Sequence, residues 1–288
     1  MRANTSLNVS RAVACGVLFA GVGGAASAQS VSPAQSLLDS SFVGNLGGFI
    51  LSTDTKARLN GASTSNPDVD FDQTFGKASD STRIRADVLW RITPTHHLRF
   101  MYFDNSIDRS RVIDRNVEWG DLQFQAGGRV DAQTDLKIGE LAYEYAFIRQ
   151  PGFELAGSAG LHVTDISVRL SGNATVRDAN GNVSPATFNT KESSVTAPLP
   201  VFGLRAGWVV APQWYVDAQG QIFKAKFGDY DARVLDLRAG VTWMYNRNFG
   251  IGLGYNRFTT TVDVDKPSFD GRLRVGYSGF QLFLTGAF

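Results

Sequence analysis

Residues 82–92, Thr-Arg-Ile-Arg-Ala-Asp-Val-Leu-Trp-Arg-Ile, decide the fold of this chain because they alternate with a period of two. The even-numbered residues form a face that is apolar apart from Thr82, and the odd-numbered ones are charged apart from Leu89. Such alternation is typical of a β-strand between two different environments. In a water-soluble sandwich the apolar face would point into a core, whereas in a transmembrane barrel it would meet lipid and the charges would line the lumen.

The connections between strands separate these two cases. Alternation predicts ten strands, at about 46–59, 80–92, 97–109, 130–148, 153–170, 197–210, 213–227, 231–246, 248–263 and 271–288. Tight turns are predicted at 93–96, 149–152, 211–212 and 246–248, and longer polar loops at 60–79, 110–129, 171–196, 228–230 and 264–270. Short turns that alternate with longer loops are typical of an antiparallel up-and-down barrel in a bacterial outer membrane. Because 228–230 is short, a count of eight strands stays open.

Tryptophan placement supports a membrane location independently. Trp90, Trp208, Trp214 and Trp243 lie close to the tight turns, and only Trp119 falls in a long loop. The amphipathic indole favours the headgroup region of a bilayer, so tryptophans at one level indicate a membrane interface. We expect the four to form an aromatic girdle at the periplasmic end.

The last strand carries the resemblance to a family. Phe280, Leu282, Leu284 and Phe288 alternate up to the terminal residue. This pattern resembles the C-terminal signal by which outer-membrane β-barrel proteins are recognised for insertion. With the strand-and-turn layout, the chain is similar to small barrels of the broad OmpA/OmpW-like type. The resemblance implies a Gram-negative outer-membrane location, contact with lipid and lipopolysaccharide, and handling by the barrel-insertion machinery; no peptidoglycan-binding domain is expected.

The N-terminus has the features of a secretory signal peptide. Arg2 and Arg11 precede or flank an apolar stretch, and residues 26–28, Ala-Ser-Ala, form a small-residue cleavage site. We therefore predict a signal peptide at 1–28, a short and loose periplasmic segment at 29–43, and the barrel at 44–288. A plug is not expected from so short a segment.

Composition excludes several classes of function. The chain of 288 residues has 28 Lys plus Arg and 27 Asp plus Glu, which leaves no basic surplus for nucleic-acid binding. Its one cysteine, Cys15, falls in the predicted signal peptide, so the mature chain has no disulfide and no thiol nucleophile. We expect no cofactor and no metal site. Oligomeric state stays open.

Strand parity assigns a charged interior to the barrel. The residues expected to form an ionic network in the lumen are Arg83, Arg85, Asp87, Arg91, Arg99, Glu144, Arg205, Asp217, Asp236 and Arg238. Buried charges must pair or stay hydrated. Two interpretations remain, an interior closed by ion pairs and water, or a selective charged pore. Bulges near Gly139, Asp165 and Ser278 could shift the parity of the residues beyond them.

Two sets of residues are weak candidates for chemistry. If the turn at 149–152 sets the register, His162 lies opposite Glu140 in the upper lumen, where the two could act as an acid–base pair or simply satisfy each other. Asp68, Asp70 and Asp72 alternate in the first long loop and could hold a divalent cation, although a solvated acidic loop is the preferred interpretation.

These observations favour a structural barrel or a narrow channel for small polar solutes. The first alternative is an outer-membrane enzyme that uses Glu140 and His162. The second is an adhesin that acts through loops 60–79, 110–129 and 171–196. A soluble periplasmic barrel or sandwich is the rival fold, and it would have to bury the girdle tryptophans in a core.

Overall fold

The computed structural model describes residues 32–60, 66–76, 82–178, 180–228, 230–266 and 269–288. The predicted signal peptide and parts of several predicted loops lie outside these ranges. No helix within them is both long enough and apolar enough to cross a membrane.

The described residues form thirteen β-strands in a single antiparallel sheet. The strands are β1 (Phe42–Leu59), β2 (Val69–Asp70), β3 (Thr82–Arg91), β4 (His96–Val112), β5 (Val117–Trp119), β6 (Leu122–Phe124), β7 (Arg129–Gln150), β8 (Phe153–Val176), β9 (Thr187–Ala211), β10 (Trp214–Phe227), β11 (Tyr230–Met244), β12 (Phe249–Lys266) and β13 (Phe269–Ala287). Ten of them close a ring, and β2, β5 and β6 lie outside it. The ten-stranded barrel predicted from alternation is therefore confirmed.

The ring closes between its first and last strands. β1 pairs with β13 from Val43 opposite Ala287 to Leu59 opposite Gly271, and on its other side it pairs with β3. Each remaining ring strand pairs with the ring strands before and after it along the chain. The topology is thus up-and-down, and it leaves no open sheet edge at the level where all ten strands are paired.

Both ends of the described chain lie at the end of the barrel that carries the tight turns. The main-chain N–H of Phe42 donates to the oxygen of Phe288 at 2.8 Å. Tight turns connect β3 with β4, β7 with β8, β9 with β10, and β11 with β12. Short turns face the periplasm in bacterial outer-membrane barrels, so we call this the periplasmic end and the opposite one the loop end.

A short helical segment packs against the periplasmic end. A 3-10 helix (Pro33–Gln35) leads into α1 (Ser36–Asp39), and the main-chain N–H of Ala34 donates to the oxygen of Pro212 at 3.0 Å. Leu37 and Leu38 are buried in a cluster that also contains Tyr215 and Met244. The apolar side chains of these residues pack against the periplasmic end of the barrel. The expectation of a loose periplasmic segment is therefore wrong for them.

The loop end carries α2 (Phe71–Phe75) and the β5–β6 hairpin, which pairs with the end of β8. The ring of Phe71 meets that of Trp119 edge-on, with centroids 6.1 Å apart. Trp119, the tryptophan outside the predicted girdle, is 1% exposed and belongs to a core at this end.

The two faces of the sheet exchange polarity halfway along the barrel, as β7 shows. On its periplasmic half, Leu141 and Tyr143 are exposed on the outside while Glu144 is buried inside. On its loop half, Leu136 and Ile138 are buried inside. The periplasmic half is therefore built like a transmembrane barrel, and the loop half like a water-soluble one with an apolar core.

The bulges expected near Gly139, Asp165 and Ser278 are not found at these residues; the polarity of the two faces changes there instead. Pairing is continuous through Lys137 opposite Asp165, Gly139 opposite Val163, and Ser278 opposite Ser52. The only register shift between β7 and β8 lies at 146–148, beside the tight turn. The side chains thus keep their faces, and it is the surroundings of each face that change.

Candidate functional site: the filled lumen

Two arginines link three glutamates across the periplasmic half of the lumen. Arg99 lies 2.9 Å from Glu140 and 3.2 Å from Glu144, and Arg205 lies 2.8 Å from Glu144 and 2.6 Å from Glu154. The three glutamate side chains are at most 1% exposed. A buried charge without a partner is costly, so each of these groups stabilises the ionised form of the next.

A second cluster sits on the opposite wall. Arg85 lies 3.0 Å from Asp87, and Arg238 approaches the same carboxylate oxygen at 3.3 Å. Asn256 accepts a hydrogen bond from Arg85 at 3.3 Å and donates one to Asp236 at 2.5 Å. The two clusters contain most of the residues that the sequence placed in the lumen network.

Two other arginines of the predicted network have their hydrogen bonds outside these clusters, although Arg91 also lies 3.8 Å from Glu154. Arg91 donates to the main-chain oxygens of Leu37 at 2.7 Å and Ser40 at 3.0 Å, and so fastens the N-terminal helices to the barrel. Arg83 donates to the side chain of Asn105 at 2.6 Å.

A cavity of about 70 Å³ lies between the N-terminal helices and the ionic clusters. Asp217, Gln219, Tyr215 and Thr242 are among its lining residues, together with Leu37 of α1. A single water needs about 10–15 Å³ of such space, so the cavity has room for several waters. The predicted lumen residue Asp217 therefore borders a cavity that has Leu37 of α1 on its periplasmic side and arginines among its other lining residues.

His162 and Glu140 face each other, as the turn at 149–152 led us to expect. They are directly opposed on β8 and β7, and Nε2 of His162 lies 3.1 Å from Oε2 of Glu140. Gln221 donates to Glu140 at 2.8 Å, and Arg99 holds the same carboxylate. The ring of Phe258 stacks on His162 with centroids 6.3 Å apart.

Burial decides what this pair can do chemically. His162 is 0% exposed and the carboxylate of Glu140 is 1% exposed. General acid–base catalysis requires that the base reach a proton of the substrate, directly or through one water. A pair enclosed between an arginine and an aromatic ring meets no substrate, so the geometry supports a role in holding β7 and β8 to the opposite wall.

The core of the loop half closes the lumen above this pair. Phe49, Phe103, Phe258 and Tyr277 are each at most 3% exposed. The ring of Tyr277 lies 4.8 Å from that of Phe103 and 5.2 Å from that of Phe258, centroid to centroid. The buried apolar residues around them include Leu51, Met101, Leu136, Ile138, Ile166, Val168, Leu199, Val201, Val234, Val262, Leu273 and Val275.

The glycines of β12 make room for a large lumen side chain. An added Cβ on Gly252 would overlap the ring of Phe283, and the guanidinium of Arg238 lies 5.9 Å above the centre of that ring. The Gly250–Gly254 repeat is thus explained by packing inside the barrel.

The three aspartates of the first long loop do not converge. Asp68 lies 3.8 Å from Arg58, Asp70 lies 3.1 Å from Lys56, and Asp72 lies 2.8 Å from Arg109. Asp70 also caps α2 by accepting from the main-chain N–H of Gln73. Each carboxylate has its own cation, and the described residues contain no group of acidic, histidine and cysteine side chains that could hold a metal ion.

The predicted girdle and the terminal pattern both lie on the outer surface. Trp90, Trp208 and Trp214 are exposed beside the tight turns, and Trp243 is half-buried next to Tyr245. On β13 the outward residues Phe280, Leu282, Leu284 and Phe288 are all more than half exposed. These side chains belong to an apolar band around the periplasmic half.

Three residues of the ionic clusters were not among those singled out from the sequence. Glu154, Gln221 and Asn256 all occupy inward positions on their strands. Strand parity, counted from the neighbouring tight turns, could have found them. Two of their contacts could not have been found in this way, because Gln221–Glu140 and Asn256–Arg85 join strands that are not neighbours in the sheet.

Comparison with solved structures gives the fold. The crystal structure of the outer-membrane protease OmpT from Escherichia coli matches with a TM-score of 0.56, covering 86% of this chain and 96% of that one at 11% identity. The toluene transporter TodX of Pseudomonas putida covers 90% of this chain and 93% of its own at 10% identity, with a TM-score of 0.36. Ail of Yersinia pestis covers 83% and 98% at 8% identity, with a TM-score of 0.29.

The last two scores are too low to support an argument. Neither models of known protein families nor curated proteins give a match to the sequence. Taken with the apolar outer band, the likeness to OmpT shows the fold and no more: the chain folds as a β-barrel of the outer-membrane type.

Proposed function

We propose that this protein is a non-conducting outer-membrane barrel that acts through its extracellular surface, as a structural or binding protein. The observation that carries the proposal is the filled lumen of the loop half. Aromatic rings of four strands meet across its centre, and the largest of these side chains are fully buried. Interiors packed in this way leave few voids larger than a water molecule.

Two further features obstruct the lumen on the periplasmic side of this core. Below it are the buried arginine–glutamate clusters, and below those the N-terminal helices cover the periplasmic end. A ten-stranded barrel also lies near the size that side chains alone can fill. The arrangement favours a closed interior over the narrow channel. We further propose that the protein is a small barrel of the OmpA/OmpW-like type and that a signal peptide at 1–28 directs its export.

Single-channel recording in a planar bilayer tests this proposal. We expect no conductance steps from the refolded mature protein, because both the apolar core and the ion-paired clusters would have to open together. A bacterial porin inserted into the same bilayer serves as the positive control, and circular dichroism shows that the refolded protein is β-structured. Steady, ion-selective steps from the folded protein would overturn the proposal.

An adhesive role is the second candidate, and the β8–β9 hairpin favours it. Pairing between β8 and β9 continues to Ala174 opposite Thr187, beyond the last pair between β7 and β8. Val183 is 57% exposed and Phe188 68% exposed on this extension. Exposed apolar side chains on a projecting hairpin offer a contact surface for another macromolecule.

The adhesive role predicts loss of binding from a hairpin variant. Cells that produce Val183→Ser with Phe188→Ser should attach to a surface of cultured animal cells no better than cells without the protein. Val112→Ser, which removes another exposed apolar residue of the loop end, is the matched control and should keep attachment. Equal attachment by wild type, hairpin variant and empty cells would exclude adhesion to this surface.

A further inference from the structure

The outer surface of β3, β4, β7 and β8 contains an open concavity of about 480 Å³ in the apolar band. It lies around Gly139, where β7 has no side chain between Tyr102 of β4 and Val163 of β8. An added Cβ on Gly139 would have no atom within 4 Å. The outward side chains that line the concavity include Val88, Phe100, Tyr102, Leu141, Leu161 and Val163.

The polar rows directly above this concavity are acidic. Lys137 is the next outward residue of β7 toward the loop end, and it is opposite Asp104 on one side and Asp165 on the other. In the row above, Asp135 is flanked by two serines. Among the described residues, no cation lies within ion-pair distance of Asp104 or Asp165. We call the concavity and these two rows the acidic side.

The strands β10–β13 carry the opposite charge in their first polar row above the apolar band. Lys224 is opposite Arg233, Arg233 is opposite Thr261, and Thr261 is opposite Arg274. Three exposed cations therefore lie in one row across four adjacent strands. We call this row, with the apolar residues directly below it, the basic side.

The two sides lie at one level and on nearly opposite walls of the ten-stranded ring. Lys137 is one outward position above Gly139, and Lys224 is one outward position above Ile222. Barrels in one outer membrane share their orientation, and the bilayer fixes the height of their apolar bands. The acidic side of one copy therefore meets the basic side of its neighbour at the same height when the two copies approach.

The surfaces below the charged rows are complementary in shape. On the basic side Ile222 and Leu235 are opposite each other, 63% and 37% exposed, at the level where the acidic side has its concavity around Gly139. Acyl chains are as apolar as these side chains, so apolar contact within a bilayer gives no hydrophobic driving force and only close packing favours it. The charged rows above select which surfaces meet.

We infer that the acidic side binds the basic side of a second copy of this chain, head to tail, in the plane of the membrane. The apolar pair Ile222 and Leu235 of one copy enters the concavity of the next, while the three cations above meet Asp104 and Asp165. Matching charge patterns fix the partner and the register, and two like sides repel each other. Each copy keeps one unused surface of each kind, so association continues into rows or closes into a ring.

Sedimentation equilibrium of the mature protein in uncharged detergent micelles, without lipid or lipopolysaccharide, tests this assignment. Two charge-reversal variants are compared with wild type, D104K/D165K on the acidic side and K224E/R274E on the basic side. Each variant alone should associate at least about 100-fold more weakly than wild type, because like charges then face each other.

An equimolar mixture of the two reversal variants should associate as well as wild type. In the mixture the altered side of each variant matches the altered side of the other, and their unaltered sides also match. The control variant, D54K/D114K, reverses two exposed aspartates outside both sides and should associate like wild type. Association should also weaken in about 1 M salt, which screens exposed charges more than about 3 Å apart.

A further variant tests the concavity separately from the charges. Gly139→Leu fills it without touching the rest of its own barrel, since an added Cβ there meets nothing. It should associate about tenfold more weakly, because an overfilled contact is strained.

Three results would overturn the inference. The first is a wild type that stays monomeric at every protein concentration. The second is a mixture of the reversal variants that associates no better than either alone. The third is association of wild type only after lipid is added, which would show that acyl chains and not a second copy occupy the concavity.

Discussion

At the scale of single residues, Arg205 is the side chain on which the interior depends most. It is the shared partner of Glu144 and Glu154, both of which are 0% exposed. Removing one member of a buried ion pair leaves the other charge in a medium that cannot solvate it, at a cost of about 3–5 kcal/mol. An exposed ion pair contributes about 0–1 kcal/mol because water solvates both partners.

Arg205→Leu should therefore lower the free energy of unfolding by about 3–5 kcal/mol, as two buried carboxylates each lose the cation nearest to them. Arg169→Leu, which breaks the exposed pair with Glu192, should cost less than about 1 kcal/mol and is the matched control. Urea unfolding in lipid vesicles, followed by tryptophan fluorescence, measures both. Losses of equal size would mean that the lumen pairs are solvated like surface ones.

At the scale of an element, α2 shows how a short helix is held over the core of the loop half. Asp70 accepts from the main-chain N–H of Gln73 at 3.0 Å, and the helix ends at Gly76 with φ of 85°. Burial acts to raise the pKa of Asp70, but hydrogen bonds from Gln73 and Lys56 outweigh it and leave the pKa below its usual value.

The lowered pKa means that the ionised form of Asp70 stabilises the helix. This contribution is complete above the usual pKa of an aspartate and is lost as the pH falls through the lowered value of the folded state. Asp70→Ala should also remove the cap, at a cost of about 0.5–2 kcal/mol.

Amide hydrogen exchange of residues 71–76 is the measurement for α2. In Asp70→Ala these amides should exchange faster than in wild type at neutral pH. Asp70→Asn keeps a capping oxygen, so it should exchange more slowly than the alanine variant and lose the dependence on acidic pH. Unchanged exchange in the alanine variant would show that packing of Phe71 and Phe75 alone holds the helix.

At the scale of the whole molecule, the exchange of polarity between the two halves determines how the barrel meets its surroundings. Outward residues of the periplasmic half, such as Leu282, face lipid, whereas outward residues of the loop half, such as Ser110, face water. The same substitution should therefore have different effects at the two heights.

Leu282→Arg should destabilise the folded protein in bilayers by about 2–4 kcal/mol, because a guanidinium on the lipid face of a barrel is costly near the bilayer midplane. Ser110→Arg should change the stability by less than about 0.5 kcal/mol, as is usual for surface substitutions. Unfolding in lipid vesicles compares the two. A large loss from Ser110→Arg would place the bilayer higher on the barrel than the apolar band indicates.

The sequence by itself predicted the ten strands of the ring and the faces of their side chains. Alternation with a period of two depends only on the pleat of a strand, so Glu140 and Glu144 could be assigned to the face opposite Leu141 and Tyr143. Turn length then set the register between neighbouring strands, which is why His162 could be placed opposite Glu140.

Tertiary structure alone decided what each face meets. Alternation is the same whether a face contacts lipid, water or a core, so the change of environment at Gly139 and Asp165 looked like a change of parity. Arg238 and Asp87 are 151 positions apart, and Arg85 and Asn256 are 171 apart. Such contacts form only when closure of the ring brings distant walls together, and that closure fills the lumen.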